Sequence, residues 1–268
     1  MTVVLTTAVF AALLALLLGI ALGFFREFFA VAVDPLVANI REALPGANCG
    51  SCGYPGCDGY AQAVAGGGAG TGNCTVGGSA VAAKIAALMG TDAVTVTPVV
   101  SVLACQGSKE HALPKGEYTG LKSCRGAKIS AGGTKLCAWG CLGYGDCAAV
   151  CKFDALRIGP DGLPVIDRDK CTGCKACIAE CPQGILKEVP KDRTGALPRC
   201  SNRNPVRAQV RKTCTAGCIK CELCVKNCPQ KCVTMENGIP VVDYSQCTSC
   251  GTCAEKCPTK VFKLLKTA

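Results

Sequence analysis

Twelve cysteines stand in three copies of one phrase: Cys171, Cys174, Cys177, Cys181-Pro182; then Cys218, Cys221, Cys224, Cys228-Pro229; then Cys247, Cys250, Cys253, Cys257-Pro258. Each copy keeps the spacing C-x₂-C-x₂-C-x₃-C-P. That run holds [4Fe–4S] clusters in bacterial-type ferredoxins, where the fourth Cys ligates the other cluster of a pair. The spacing has a physical logic: three thiolates on a tight loop reach three irons of one cubane, and the fourth, at the start of a helix, turns toward the neighbouring cube. The chemistry implied is one-electron transfer.

Pairing applied to the last two runs assigns Cys218, Cys221, Cys224 and Cys257 to one cluster. Cys247, Cys250, Cys253 and Cys228 form the other set. The first run has a degenerate partner upstream, revealed by duplication. Residues 162–182 and 238–258 are identical at ten of 21 positions. The repeat, with a period of 76 to 77 residues, matches Cys124 with Cys200, Cys137 with Cys214, Cys141 with Cys218, Cys147 with Cys224 and Cys151 with Cys228. Cys171, Cys174, Cys177 and Cys151 therefore make one set. In the other, Tyr144 stands where Cys221 stands in the copy, and no Pro follows Cys151. Cys137, Cys141, Cys147 and Cys181 are expected there, Cys137 replacing the missing ligand. A vacant ligand or a three-iron cluster is the alternative. Leu163–Ile166 and Ile239–Val242 read as short strands of these units.

Composition narrows the class. The chain has 268 residues and 25 cysteines. Small cysteine-rich units bury little apolar core, so bound clusters must supply much of the folding energy. A disulfide framework conflicts with the odd count and the ligand spacing. Zinc ribbons use C-x₂-C pairs but not chained triplets closed by Cys-Pro. The formal charge of +10 treats thiols as neutral. A cubane with four thiolates carries about −2, so about five would bring the loaded protein near zero. Nucleic-acid binding is excluded on the single Trp and the lack of aromatics among the basic residues.

Outward from the ligand loops, Val3–Phe25 runs 23 residues without a charge, long enough to cross a hydrocarbon core of roughly 30 Å. A cleaved signal peptide competes, with Ala21-Leu22-Gly23 as a small-x-small site, but its basic leading region is missing. An uncleaved anchor is expected. Arg26 and Arg41 follow the span, which puts the rest of the chain in the cytoplasm. Residues 28–33 either lie at the interface or continue the helix. Leu36–Leu44 is a short amphipathic stretch, Ser79–Met89 an Ala-rich helix stopped by Gly90, and residues 93–104 a Val-rich strand. His111, the only histidine, reads as a solvated loop residue.

Cys49-Gly-Ser-Cys52-Gly-Tyr-Pro-Gly-Cys57, with Cys74 further on, has a different spacing and forms a separate one-cluster module. Together with the anchor and the ferredoxin-like units, this motif resembles the B subunits of the Rnf family, ion-translocating ferredoxin:NAD⁺ oxidoreductases of bacterial membranes. The one-cluster module also resembles that of corrinoid iron–sulfur proteins. The Rnf resemblance implies that Cys49, Cys52, Cys57 and Cys74 bind one [4Fe–4S] cluster. It implies electron donation by soluble ferredoxin, and partners that include flavin-bearing and polytopic membrane subunits. It also implies a single-pass protein of the cytoplasmic membrane with its C-terminal domains in the cytoplasm.

The expected fold is α+β: an N-terminal transmembrane helix, a small four-Cys iron–sulfur module and tandem bacterial-type ferredoxin-like units. The expected segments are an anchor (1–26), the four-Cys module (27–90), a connecting segment (91–135), a first unit (136–190), a basic connector (191–213) and a second unit (214–268). Twenty cysteines make about five clusters, leaving Cys105, Cys124, Cys200, Cys214 and Cys232. Cys232 reads as a buried thiol; the other four are buried thiols or, arithmetically, a sixth cluster. In the connector Arg203, Arg207 and Arg211 recur every four residues, so a helix would align them on one face. They read either as a solvated linker or as a docking site for an acidic donor. No acid–base constellation, nucleotide loop or flavin motif is recognisable, so no catalytic residue is expected. The other functional readings are a polyferredoxin arm of a hydrogenase or heterodisulfide reductase, and an iron–sulfur sensor or structural metal protein.

Overall fold

The computed structural model describes residues 2–29, 34–193 and 195–265; most of the stretch expected at the membrane interface (28–33) lies outside them. Helix α1 (Thr2–Phe28) has a mean hydropathy of 2.7 over its most apolar window and no buried residue. At 1.5 Å per residue it is about 40 Å long, enough to cross a bilayer core.

Helices α2 (Pro35–Ala43), α3 (Gly56–Ala65) and α4 (Gly78–Met89) form the next layer. Asp34 starts α2 by accepting the Leu36 N–H at 2.8 Å, and Gly90, at φ 65°, ends α4 in the left-handed conformation that glycine adopts without steric cost. Ile40, Tyr60, Val64 and Ile85 are fully buried where the three helices meet. This small core holds the loop of Cys49 and Cys52 against the start of α3.

Beyond it the remaining strands pair in four two-stranded antiparallel sheets. Strand β1 (Val99–Leu103) is followed by α5 (Cys124–Ala131), α6 (Asp146–Ala149), β2 (Leu156–Ile158), β3 (Pro164–Ile166), α7 (Ala176–Glu180) and β4 (Leu186–Pro190). A second series follows: β5 (Ala196–Pro198), α8 (Arg207–Thr213), α9 (Leu223–Lys226), β6 (Val233–Glu236), β7 (Ile239–Val242), α10 (Thr252–Glu255) and β8 (Phe262–Leu264). In each series the first strand pairs with the last, β1 with β4 and β5 with β8, and the middle two form a hairpin, β2 with β3 and β6 with β7. The expected α+β architecture is therefore present.

Several boundaries differ from expectation. The strand read over 93–104 is confined to Val99–Leu103, because its partner β4 is only five residues long. Strand β1 lies in the expected connecting segment and β5 in the expected basic connector, so each sheet begins before its ligand loops. The connector is packed: the Arg199 guanidinium donates to Cys105 O at 3.1 Å, and that of Arg193 donates to Cys247 O at 2.8 Å and stacks over Tyr244. Helix α8 starts at Arg207, leaving Arg203 outside it; Arg203, Arg207 and Arg211 are all exposed.

Closing strands define which residues correspond between the units. Ala104 N–H donates to Ile185 O at 2.8 Å, and Arg199 N–H donates to Val261 O at 2.9 Å. Cys105 follows β1 by two residues as Cys200 follows β5. The counterpart of Cys200 is thus Cys105, not Cys124. The first unit carries 31 residues between Cys105 and Cys137 where the second has 13 between Cys200 and Cys214. The extra length holds α5 and Cys124.

Candidate iron–sulfur centres

The ligand loops repeat one backbone conformation. The residue before the second ligand position and the residue after it are both left-handed: Gly173 and Lys175 flank Cys174, Lys220 and Glu222 flank Cys221, and Ser249 and Gly251 flank Cys250, with φ between 56° and 81°. Gly143 and Gly145 flank Tyr144 in the same way, at φ 80° and 89°. The third residue after each fourth Cys is left-handed as well: Asp154, Gly184, Lys231 and Lys260. Non-glycine side chains rarely adopt this region. Its recurrence at matched positions means that the loop shape, which turns the thiols inward, is retained even where Tyr144 replaces a cysteine and Cys151 lacks its proline.

In the second unit Cys247, Cys250, Cys253 and Cys228 line a hollow of about 340 Å³, with Cys232 beside them. Cys232 is buried, its sulfur 3.5 Å from that of Cys228; the matching position in the first unit is Ala155, also buried. Cys218 and Cys224 lie near each other and near Cys257, and Cys224 lies near Cys221. In the first unit Cys151, Cys171, Cys174 and Cys177 line a hollow of about 440 Å³.

The remaining set departs from the expected one. Cys141, Cys147 and Cys181 share a hollow of about 380 Å³ with Cys124, not with Cys137. The Asp146 carboxylate holds Cys124 there, accepting the Cys124 N–H at 2.9 Å and the Arg125 N–H at 3.1 Å at the start of α5. Ser123 caps the same helix by accepting the Gly126 N–H at 2.9 Å. Asp146 precedes Cys147, so the cap brings the fourth thiol beside the loop that lost its own. Cys137 is held elsewhere: its sulfur accepts from the Asn202 side-chain amide at 3.4 Å, and it lines a separate hollow with Cys105, Cys200 and Cys214.

Cys49, Cys52, Cys57 and Cys74 come together in the N-terminal module, the first three lying near Cys74. Gly77 N–H donates to the Cys74 sulfur at 3.4 Å, and Asn48 Oδ1 accepts the Cys57 N–H at 2.8 Å. Cys49 in turn lies near Cys174, and the Lys152 ammonium donates to Asn48 O at 3.3 Å across the same seam. His111 is exposed, with its Nδ1 2.9 Å from Thr215 Oγ1.

The donor sets fit cubanes. All 25 cysteines are free thiols. Among the described residues no three His, Cys, Asp or Glu side chains converge on a point suited to a single metal ion. In four of the places described, four or more thiols stand back around a hollow instead, as a four-iron cluster requires. Burial pushes the Cys141 and Cys147 thiols up to about 12, and Cys218 and Cys253 up to about 11. Such thiols are inert as acids and bases near neutrality and become thiolates when iron replaces their protons.

Fold and thiol sets together define a multi-cluster iron–sulfur protein of the ferredoxin class. Residues 44–76 match the family described as "Putative Fe-S cluster", residues 164–187 a 4Fe-4S binding domain and residues 217–261 a 4Fe-4S dicluster domain. Among curated proteins, the chain is 42% identical over 219 residues to the B subunit of the Na⁺-translocating ferredoxin:NAD⁺ oxidoreductase complex of Acetobacterium woodii, covering 82% of this chain and 65% of that protein. It is 34% identical to the B subunit of the ion-translocating oxidoreductase complex of Methanosarcina acetivorans, over 82% of this chain and 83% of that one. It is 39% identical to the B subunit of the proton-translocating ferredoxin:NAD⁺ oxidoreductase complex of Clostridium ljungdahlii, over 82% and 78%. The match thus spans just under two thirds of the Acetobacterium protein's length. The chain belongs to this family, the B subunits of Rnf-type ion-translocating oxidoreductase complexes.

Proposed function

We propose that the chain is a membrane-anchored electron relay that takes electrons from reduced ferredoxin and delivers them to partner subunits of an ion-translocating ferredoxin:NAD⁺ oxidoreductase. Five thiol sets would hold [4Fe–4S] clusters: Cys49, Cys52, Cys57, Cys74; Cys151, Cys171, Cys174, Cys177; Cys124, Cys141, Cys147, Cys181; Cys218, Cys221, Cys224, Cys257; and Cys228, Cys247, Cys250, Cys253. When bound, such a cluster supplies reversible one-electron chemistry. The partners would be flavin-bearing and polytopic membrane subunits, and the domains after α1 would lie on the cytoplasmic side, consistent with Arg26 and Arg41 following the apolar helix.

The observation that carries this reading is contiguity. Cys49 of the module lies near Cys174 of the first unit, and Cys147 interacts with Cys177 in the next set along. The residues do three things along this route. Thiols ligate, backbone N–H groups donate to sulfurs and tune potential, and apolar walls exclude water. Arg203, Arg207 and Arg211, all exposed, suit an acidic donor.

The test is Cys57→Ser in the assembled complex. Ferredoxin-dependent reduction of the other clusters should persist while delivery to the partner subunits stops. Undiminished delivery would show that the module is not the exit.

A further inference from the structure

We propose that Cys105, Cys137, Cys200 and Cys214 hold a sixth [4Fe–4S] cluster, at the seam between the two ferredoxin-like units. The assignment rests on the reading that the other hollows hold cubanes, and adds a site to it. The four thiols come in equal pairs from the two units. Cys105 and Cys137 belong to the first, and their counterparts Cys200 and Cys214 to the second. They line one hollow of about 350 Å³, within the range of the other three that cysteines line.

Its hydrogen bonds repeat across the seam. The Cys141 N–H donates to the Cys105 sulfur at 3.4 Å, and the matching Cys218 N–H donates to the Cys200 sulfur at 3.2 Å. Cys137-Ala-Trp-Gly140 and Cys214-Thr-Ala-Gly217 make the same turn, Gly140 N–H to Cys137 O at 3.1 Å and Gly217 N–H to Cys214 O at 3.2 Å. Two more donors face sulfur: Gly107 N–H to Cys105 at 3.4 Å and the Asn202 amide to Cys137 at 3.4 Å, Asn202 being only 4% exposed. A Cβ on Gly107 would crowd the Ala112 Cβ at 3.1 Å and lie 3.6 Å from the sulfurs of both Cys105 and Cys214, so the backbone here runs directly beside the hollow. Buried thiols that collect N–H donors behave as ligands of an anionic cluster, because each donor stabilises charge on sulfur. Cationic groups are also at hand. Lys135, 9% exposed, donates from its ammonium to Gly107 O at 2.6 Å, and the Arg199 guanidinium donates to Cys105 O.

Loading by ligand exchange from a thiolate-bound [4Fe–4S] donor breaks four iron–thiolate bonds on the donor and forms four here; the four thiol protons pass to the released thiolates, with no change of oxidation state. The position gives the site its role. It touches a ligand residue of the first unit, Cys141, and one of the second, Cys218, and so joins two pairs of clusters into one continuous series.

The experiment is an iron and acid-labile sulfide count on the anaerobically purified full chain and on Cys137→Ser/Cys214→Ser, with potentiometric EPR. Six cubanes give about 24 irons, and the double variant should lose about four of them. A wild-type count of about 20, unchanged in the variant, would overturn the sixth site while leaving the five others standing. A zinc-loaded chain without iron would overturn both readings. If the double variant fails to assemble, Asn202→Leu decides. Removing one donor to the Cys137 sulfur should lower the potential of a single cluster and leave the others in place. No shift in any cluster would contradict ligation by Cys137.

Discussion

Gly173 sits between Cys171 and Cys174 with φ +68°, and a Cβ placed there would be 2.5 Å from Val99 O and 2.8 Å from Val99 Cγ2. Gly173→Ala therefore meets two costs. The left-handed conformation costs about 1–2 kcal/mol for a residue with a Cβ. Overpacking against strand β1 adds about 1–3 kcal/mol, with backbone rather than a flexible side chain in the way. The sum is about 2–5 kcal/mol, directed at the loop that closes the hollow of Cys151, Cys171, Cys174 and Cys177. Gly184→Ala is the matched control: φ is +60° and nothing lies within 4 Å, so only the first cost of about 1–2 kcal/mol applies. The difference of about 1–3 kcal/mol corresponds to about a 5- to 150-fold larger effect of Gly173→Ala on the opening of its loop than of Gly184→Ala on its own. Anaerobic release of iron to a chelator in mild denaturant, followed with time, measures it. Equal release from the two variants would refute the packing argument. In the second unit Ser249 occupies the matching position at φ 61°, and it fits because Gly195 faces it: a Cβ there would lie 2.8 Å from Ser249 Oγ.

Three further outcomes are expected. Cys124→Ser should turn one cubane into a three-iron cluster or empty it, removing about one to four irons and producing an oxidised-state EPR signal; a variant identical to wild type would return the fourth ligand to another residue. Charge reversal at Arg203, Arg207 and Arg211 should slow association with reduced ferredoxin at low salt and converge with wild type at high salt. An unchanged rate would make this exposed face irrelevant to docking. Because burial holds the Cys141 and Cys147 thiols up to about 12, they are protonated throughout the neutral range and each releases a full proton on ligation. Anaerobic reconstitution of the empty chain should therefore improve as pH rises from about 6 to about 9, and a flat profile would mean that the thiols are already ionised.

The three complete ligand runs were legible because their spacing is local: a handful of residues encode the turn, and the left-handed positions beside Cys174, Cys221 and Cys250 follow from it. The hairpin strands were legible for the same reason. What the chain order hid was the exchange of Cys124 and Cys137. Counting at a constant period pairs Cys124 with Cys200, whereas strand pairing shows that the first unit holds extra residues before Cys137. Only β1 closing on β4, and β5 on β8, reveals that Cys105 is the true counterpart. Two signals pointed that way: the shared Cys-x-x-Gly-Cys phrase of Cys137–Cys141 and Cys214–Cys218, and the position of Cys105 just after a Val-rich strand. The role of Arg193 and Arg199 was likewise invisible, since the carbonyls they reach, of Cys247 and Cys105, lie 54 and 94 residues away.

The three copied phrases thus belong to two ferredoxin-like units, and in the first Cys124, on an inserted helix, shares the hollow of Cys141, Cys147 and Cys181 beside the loop where Tyr144 replaces a cysteine. The most direct test of the relay is rapid-freeze EPR of the full chain in its membrane complex after mixing with reduced ferredoxin. The expected result is the appearance of reduced-cubane signals before any NADH forms, with ferredoxin oxidised by one electron for each cluster reduced. Ferredoxin oxidation and NADH formation without any reduced-cubane signal from this chain would contradict it.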